Sequence, residues 1–226
     1  MRTLVSCATM KPPPVIHPSD TAIALYGGSF DPVHRAHLMV ARTVLRDLGL
    51  DRVVFIPAAQ SPLKETAVRA DDASRLHMLE LATAGEPGFA VDDCELRRGG
   101  RSYTIDTVRA FQTAHPQARL SWIIGADQFA CLPRWYAIEA LAQLVEFIVL
   151  GRPGYTMQPP AVAGLRYQAV EAPLLEQSSS EIRRRIAGGL PLADWLPASV
   201  EAFIFEHALY TDRPESCKHD EKDPIT

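Results

Sequence analysis

Residues 21–40 read TAIALYGGSFDPVHRAHLMV, and the order of signals in that stretch decides the fold. Residues 21–26 (TAIALY) form a short, mostly apolar run of strand length, which Gly27 and Gly28 terminate. Asp31-Pro32 then carries a strong helix-start signal, because Asp caps free N–H groups and Pro suits the first helical position. Val33, His37, Val40, Val44 and Leu48 follow at helical spacing, and Gly49 ends the helix. An apolar strand, a glycine turn and an amphipathic helix together open an alternating α/β chain.

The alternation continues outward from there. A second apolar strand is expected at 52–57 (RVVFIP), a helix near 72–84, a strand near 89–93 and a helix near 104–113. Two more buried-type strands follow at 120–125 (LSWIIG) and 146–151 (EFIVLG), separated by a helical segment broken at Pro133. A last strand near 167–172 leads into a short helix at 178–186, closed by Gly188 and Gly189, and a final helix covers 197–208. Strands apolar on both faces, alternating with amphipathic helices, predict a Rossmann-like, doubly wound parallel sheet with a small C-terminal helical part. Ligands in such sheets bind beyond the carboxyl ends of the strands, here just after Tyr26, Ile56, Ile124 and Leu150.

Bulk properties narrow the class. At 226 residues the chain fits one domain at 20–210, with flexible extensions expected at 1–19 (Pro12, Pro13, Pro14 and Pro18) and 211–226. A net charge of −4 gives no sign of a nucleic-acid footprint. Cys7, Cys94, Cys131 and Cys217 show no ligand-like spacing, and no apolar run is long enough to span a bilayer, so a reducing cytoplasm is expected. The oligomeric state, a homo-oligomer included, is not legible.

The segment 27–37, GGSFDPVHRAH, carries the chemistry. Two glycines let the backbone turn sharply and approach a ligand, and the helix start offers N–H groups and a positive dipole end to a phosphate. His34 and His37, three apart, can share one helix face and donate to phosphoryl oxygens as charge builds up. Two other readings stand beside this one: packed or capping histidines, or an HxxH metal pair, for which no third ligand is signalled nearby.

This segment resembles the (H/T)xGH signature of the nucleotidylyltransferase superfamily, in the GG(T/S)FDPxHxGH form of the bacterial nicotinate-nucleotide adenylyltransferases. The chain departs from it once, with Ala36 in place of Gly. The resemblance runs over roughly residues 21–210. Residues 55–64 are similar to the family's strand and loop ending in PxxK, which implies that Lys64 neutralises phosphate charge. Residues 95–104 (ELRRGGRSYT) resemble ExxRxGxSYT, implying that Ser102, Tyr103 and Thr104 hold the pyridine mononucleotide. As bare residues, Ser102 and Thr104 read as helix caps.

Residues 124–127 (IGAD) match the family's GxD segment, with Gly125 allowing close approach and Asp127 either accepting from ribose hydroxyls or capping a helix. Residues 132–136 (LPRWY) look like the family's pyridine-side segment, which makes Trp135 the candidate to stack on the nicotinate ring; as a bare residue it reads as core. Residues 151–154 (GRPG) resemble the family's RPG loop, which implies that Arg152 lies near the nucleotide; as a bare residue it reads as part of a surface turn. Residues 178–183 (SSSEIR) resemble ISSTxIR, with Gln177 for Ile and Ser180 for Thr. Physically this is a capping box of Ser178 and Glu181, whose hydroxyls and Arg183 can hold a triphosphate.

The resemblance implies an enzyme that transfers AMP from ATP to nicotinate mononucleotide, in line and without a covalent intermediate. The implied catalytic set is His34, His37, Lys64 and Arg183. ATP falls to Gly27, Gly28, Ser29, Phe30, His37, Gly125, Asp127, Arg152, Ser179, Ser180 and Arg183. The mononucleotide falls to Ser29, Phe30, Lys64, Ser102, Tyr103, Thr104 and Trp135. Mg²⁺ is expected as the companion of ATP, held mainly by phosphates, with no dedicated protein metal site. Preference for nicotinamide mononucleotide, and a non-catalytic nucleotide-binding relative, are the competing readings. A dinucleotide-dependent oxidoreductase fits poorly, since GxGxxG is absent from the first βα turn.

Overall fold

The computed structural model describes residues 21–62, 68–151, 158–171, 177–192 and 194–211. The expected extension at 1–19 and residues 212–226 of the other, together with Lys64 and Arg152, lie outside these residues. The described strands are β1 (Ala22–Gly28), β2 (Arg52–Pro57), β3 (Phe89–Val91), β4 (Arg119–Gly125), β5 (Glu146–Gly151) and β6 (Tyr167–Glu171). They form one sheet in the order β3-β2-β1-β4-β5-β6, parallel at every pairing. The order reverses direction between β1 and β4, which is the switch point of a doubly wound sheet.

The helices are α1 (Arg35–Asp47), α2 (Asp72–Thr83), α3 (Cys94–Arg98), α4 (Thr104–Ala114), α5 (Ala126–Ala130), α6 (Ile138–Leu144), α7 (Ser179–Ala187) and α8 (Ala198–Glu206). Strand alternation splits the core in two. Ala24, Phe55, Ile123 and Ile148 face the side covered by α1, α2, α7 and α8. Ile23, Leu25, Val54, Trp122 and Phe147 face the side covered by α4, α5 and α6. Each fully buried Leu, Ile or Phe contributes about 1.5–3 kcal/mol, so both faces must be covered for the sheet to persist.

Several local expectations are corrected. Gly27 and Gly28 do not end β1; they extend it, pairing with Ile56 and Pro57. Asp31-Pro32 does not start α1. That bond is cis, and the helix begins at Arg35 with His34 as N-cap. The Asp31 side chain is engaged elsewhere, as described below. Helix α3 was not expected from the sequence, being a single five-residue segment between a strand end and Gly99-Gly100. The expected end of α1 is found, with Gly49 at φ +58, the left-handed conformation that closes helices.

Candidate active site

Pairing between β1 and β4 stops at Leu25↔Trp122, whereas β1 continues beside β2 as far as Gly28↔Pro57. The two central strands therefore part at their carboxyl ends and open a crevice. A cavity of about 490 Å³ lies there, lined by Gly27 and Gly28 from β1 with Ser29 just after it, by Gly125 from β4, and by Ser102, Tyr103, Thr104 and Trp135. These residues come from four sequence segments, and all were expected at the site.

Trp122 lines the same cavity and was not expected there, while Glu95, Arg101, Arg134 and Tyr136 line it from expected segments without having been singled out. Trp122 explains the glycine at position 27: a Cβ there would sit 2.5 Å from the indole, which is only 4% exposed. At position 28 the crowding comes from the Phe30 ring, 3.0 Å away. What approaches Gly125 is the Asp127 carboxylate, 2.6 Å from where a Cβ would be. A buried strand Trp gives no sequence signal beyond apolarity, so its role was invisible without the fold.

The far wall is zipped to the loop after β2. The Ala59 N–H donates to Ser102 Oγ at 3.0 Å, and the Ser102 N–H donates to the Gln60 carbonyl at 2.9 Å. Ser102 is thus not the cap of α4; Tyr103 takes that position, and no side-chain cap is made. Glu95, 3% exposed, ties α3 to α4 by accepting from Thr107 Oγ1 at 2.6 Å. The half-buried Trp135 carries a buried Nε1 with no partner among the described residues. Its neighbour Tyr136 is 64% exposed.

Ser29 joins this cavity to the turn that leads into α1. There the His34 and His37 rings stack with centroids 3.7 Å apart. His37 Nδ1 accepts from the His34 backbone N–H at 3.2 Å, which puts the neutral ring's proton on Nε2. His34 is 5% exposed, burial pushes its imidazole down to about 4, and its Nδ1 has no partner among the described residues. It is therefore neutral near pH 7. Phe30, at φ +46, sends its ring into the core against Tyr26 and Phe55, leaving only its backbone for a ligand. The first N–H of α1 does not face a ligand: Arg35 N donates to the Trp195 carbonyl at 2.9 Å.

Side chains from distant elements brace the turn. Arg75 of α2, fully buried, donates to the Ser29 carbonyl at 2.8 Å. Arg183 of α7 donates to the Asp31 carbonyl at 2.6 Å, and Ser179 Oγ to the Pro32 carbonyl at 3.0 Å. In a trans peptide the next N–H points opposite to the carbonyl. Holding the Ser29 and Pro32 carbonyls thus also fixes the direction of the Phe30 and Val33 N–H groups. Helix α7 itself starts as expected, with Ser178 Oγ accepting from the Glu181 N–H at 3.2 Å. The other half of the capping box is not made: Glu181 binds Arg184 and Arg185, which hold its carboxyl down to about 2.

Most of the expected residues thus fall into two adjoining groups. Ser29, Ser102, Tyr103, Thr104, Trp135 and Gly125 surround the cavity, while His34, His37, Ser179 and Arg183 gather at the turn. Ser180 accepts from Arg183 at 3.2 Å. Asp127 is exposed in the first turn of α5, outside the cavity lining. Among the described residues no cluster of three or more His, Cys, Asp or Glu could hold a metal ion, and no helix is long and apolar enough to cross a membrane.

The cytidylyltransferase-like family model matches residues 25–185. A protein of Opitutus terrae named "probable nicotinate-nucleotide adenylyltransferase" is 42% identical over 189 residues, covering 83% of this chain and 97% of its own. One of the same name from Bordetella petrii is 44% identical over 195 residues, covering 83% and 98%. Among solved structures, a nicotinic acid mononucleotide adenylyltransferase of Plasmodium falciparum complexed with NaAD superimposes with a TM-score of 0.70 at 20% identity, over 84% of this chain and 97% of that one. That likeness speaks for the fold alone. With the family model covering most of the domain and relatives matched over nearly their full length, this chain belongs to the cytidylyltransferase-like family and, within it, to the nicotinate-nucleotide adenylyltransferases, which are nucleotidyltransferase enzymes.

Proposed function

We propose that the chain transfers the adenylyl group of ATP to nicotinate mononucleotide, giving nicotinate adenine dinucleotide and pyrophosphate. A 5′-phosphate oxygen of the mononucleotide attacks the α-phosphorus of ATP, and the bond to the β-phosphate breaks as pyrophosphate leaves. The nucleophile is ionised at neutral pH, so no general base is needed, and catalysis rests on alignment and charge neutralisation. The observation that carries this reading is the continuity, through Ser29, of a mononucleotide-sized cavity with a braced turn bearing two histidines.

In this reading His37 donates from Nε2 to the transferring phosphate, and His34 supplies the second imidazole. The backbone around Ser29 and Phe30 faces the nucleophilic phosphate. Ser179, Ser180 and Arg183 hold the triphosphate, with Lys64 and Arg152 adding positive charge. Gly125 and Asp127 take the adenosine ribose, and Ser102, Tyr103, Thr104 and Trp135 hold the pyridine mononucleotide. Mg²⁺ arrives with ATP, bound by phosphate oxygens and water.

Acid over amide is supported by the charge of the cavity wall. Arg101 and Arg134 line it, against a single carboxylate, Glu95, that already accepts from Thr107. The test is pyrophosphate release from ATP and Mg²⁺ with nicotinate mononucleotide or nicotinamide mononucleotide, with product mass identified. Faster turnover of the acid is expected. Preference for the amide would overturn the substrate assignment, and inactivity with both would overturn the reaction.

A further inference from the structure

Asp31 sits in the middle of the phosphate-side turn and is 4% exposed. Its Oδ2 accepts from the Arg69 N–H at 2.9 Å and lies 3.6 Å from the Arg183 guanidinium. Its Oδ1 accepts from the Ala70 N–H at 3.0 Å and from the Tyr210 hydroxyl at 2.8 Å. The last of these bonds spans 179 residues of sequence. Tyr210 follows α8, is 7% exposed, and has φ +64, a region that bulky residues seldom occupy. The backbone thus adopts an unfavoured conformation that delivers this hydroxyl to this carboxylate.

Resting on the proposed reaction, we infer that Tyr210 is a positioning residue for phosphoryl transfer. Its hydroxyl fixes the Asp31 carboxylate, which in turn faces Arg183 and spans Arg69 and Ala70, so the turn keeps its position relative to the histidines and to Arg183. Tyr210 itself touches no substrate. A hydroxyl that only completed the core would be replaceable by phenylalanine without kinetic effect, because the ring and its packing remain. A hydroxyl that sets the turn would not be.

The test is Y210F, compared with wild type in steady-state kinetics, in calorimetric titration with pyrophosphate, and in thermal melting. A bond to a charged group removed at this distance from the chemistry predicts a fall in kcat of roughly tenfold. The KM for the mononucleotide should stay within about twofold, since the cavity is separately anchored. Pyrophosphate affinity should fall in parallel with kcat, and the variant should remain fully folded at the assay temperature. In D31A/Y210F the loss in kcat should be smaller than the product of the single losses, because D31A removes the acceptor of the bond whose donor Y210F removes.

Wild-type kcat and pyrophosphate affinity in Y210F, whatever its melting temperature, would overturn the inference. So would multiplicative losses in the double variant. If the wild-type chain turns over neither mononucleotide, the proposed reaction fails, but the pyrophosphate titration still decides the role of Tyr210. A wild-type chain that neither turns over nor binds pyrophosphate overturns both.

Discussion

The turn at residues 29–32 and the cavity beside it share Ser29, yet they are held in different ways. Three of the turn's carbonyls, those of Ser29, Asp31 and Pro32, are grasped by side chains from far along the chain: Arg75, Arg183 and Ser179. The cavity is closed by one short zip between residues 59–60 and 102. It also keeps a buried Trp135 Nε1 with no partner among the described residues and a largely exposed Tyr136 ring. Groups that stabilise developing charge gain most when they are placed before the substrate arrives. Groups that recognise a flat ring can wait for the ring to order them. The difference teaches that the turn should govern rate and the cavity should govern affinity.

The sharpest way to break that division is His37→Ala. We expect kcat to fall by roughly 10²–10³ with mononucleotide binding changed only a few-fold. Pyrophosphate-release kinetics and calorimetry measure the two sides, and an equal loss on both would erase the distinction.

Next in size is a pH effect seated in the turn. Burial lowers His34 to about 4 from its ordinary 6.5, so below pH 6.5 the unfolded chain takes up a proton that the folded chain refuses. The stability from this neutral imidazole is fully present above pH 6.5 and is lost as pH falls toward 4, amounting to about 3 kcal/mol at most. Denaturant melts between pH 7 and 4 should show that slope, and His34→Gln should flatten it.

Gly27→Ala probes the cavity wall. Its methyl would press on the buried Trp122 ring, costing about 1–3 kcal/mol of stability by overpacking. The KM for the mononucleotide should rise while pyrophosphate affinity holds, because the turn has its own anchors. Trp135→Ala should give the smallest change: a rise in mononucleotide KM of about three- to tenfold from lost ring stacking, with kcat near wild type. A large drop in kcat from Trp135→Ala would show that the cavity also aligns the reaction.

The sheet was largely legible because parallel strands buried on both faces write themselves as unbroken apolar runs. Strands β2 and β5 occupy the expected residues, and β4 begins one residue earlier than expected. Helix α7 was legible from a local cap. Asp31-Pro32 misled because the same dipeptide serves a helix start and a tight turn, and the partners that decide between them lie 38 and 179 residues away. Arg75 offered no sign of its place behind the Ser29 carbonyl: an arginine in an amphipathic helix reads as solvated. Within the site, residues carried by a recognisable motif were foreseen, Ser179 and Arg183 with partners 147 and 152 residues away included, whereas Arg75, which no motif carries, was not.

The bond between Tyr210 and Asp31 also sets an order on synthesis. A ribosome delivers the hydroxyl that fixes the histidine turn 179 residues after the carboxylate it binds. All six strands of the described sheet precede residue 172, so a nascent chain can pair them while the turn still lacks this brace. A product that stops short of Tyr210 would therefore be a sheet-forming chain with a loosened reaction centre, withheld from full activity until translation has passed the end of α8.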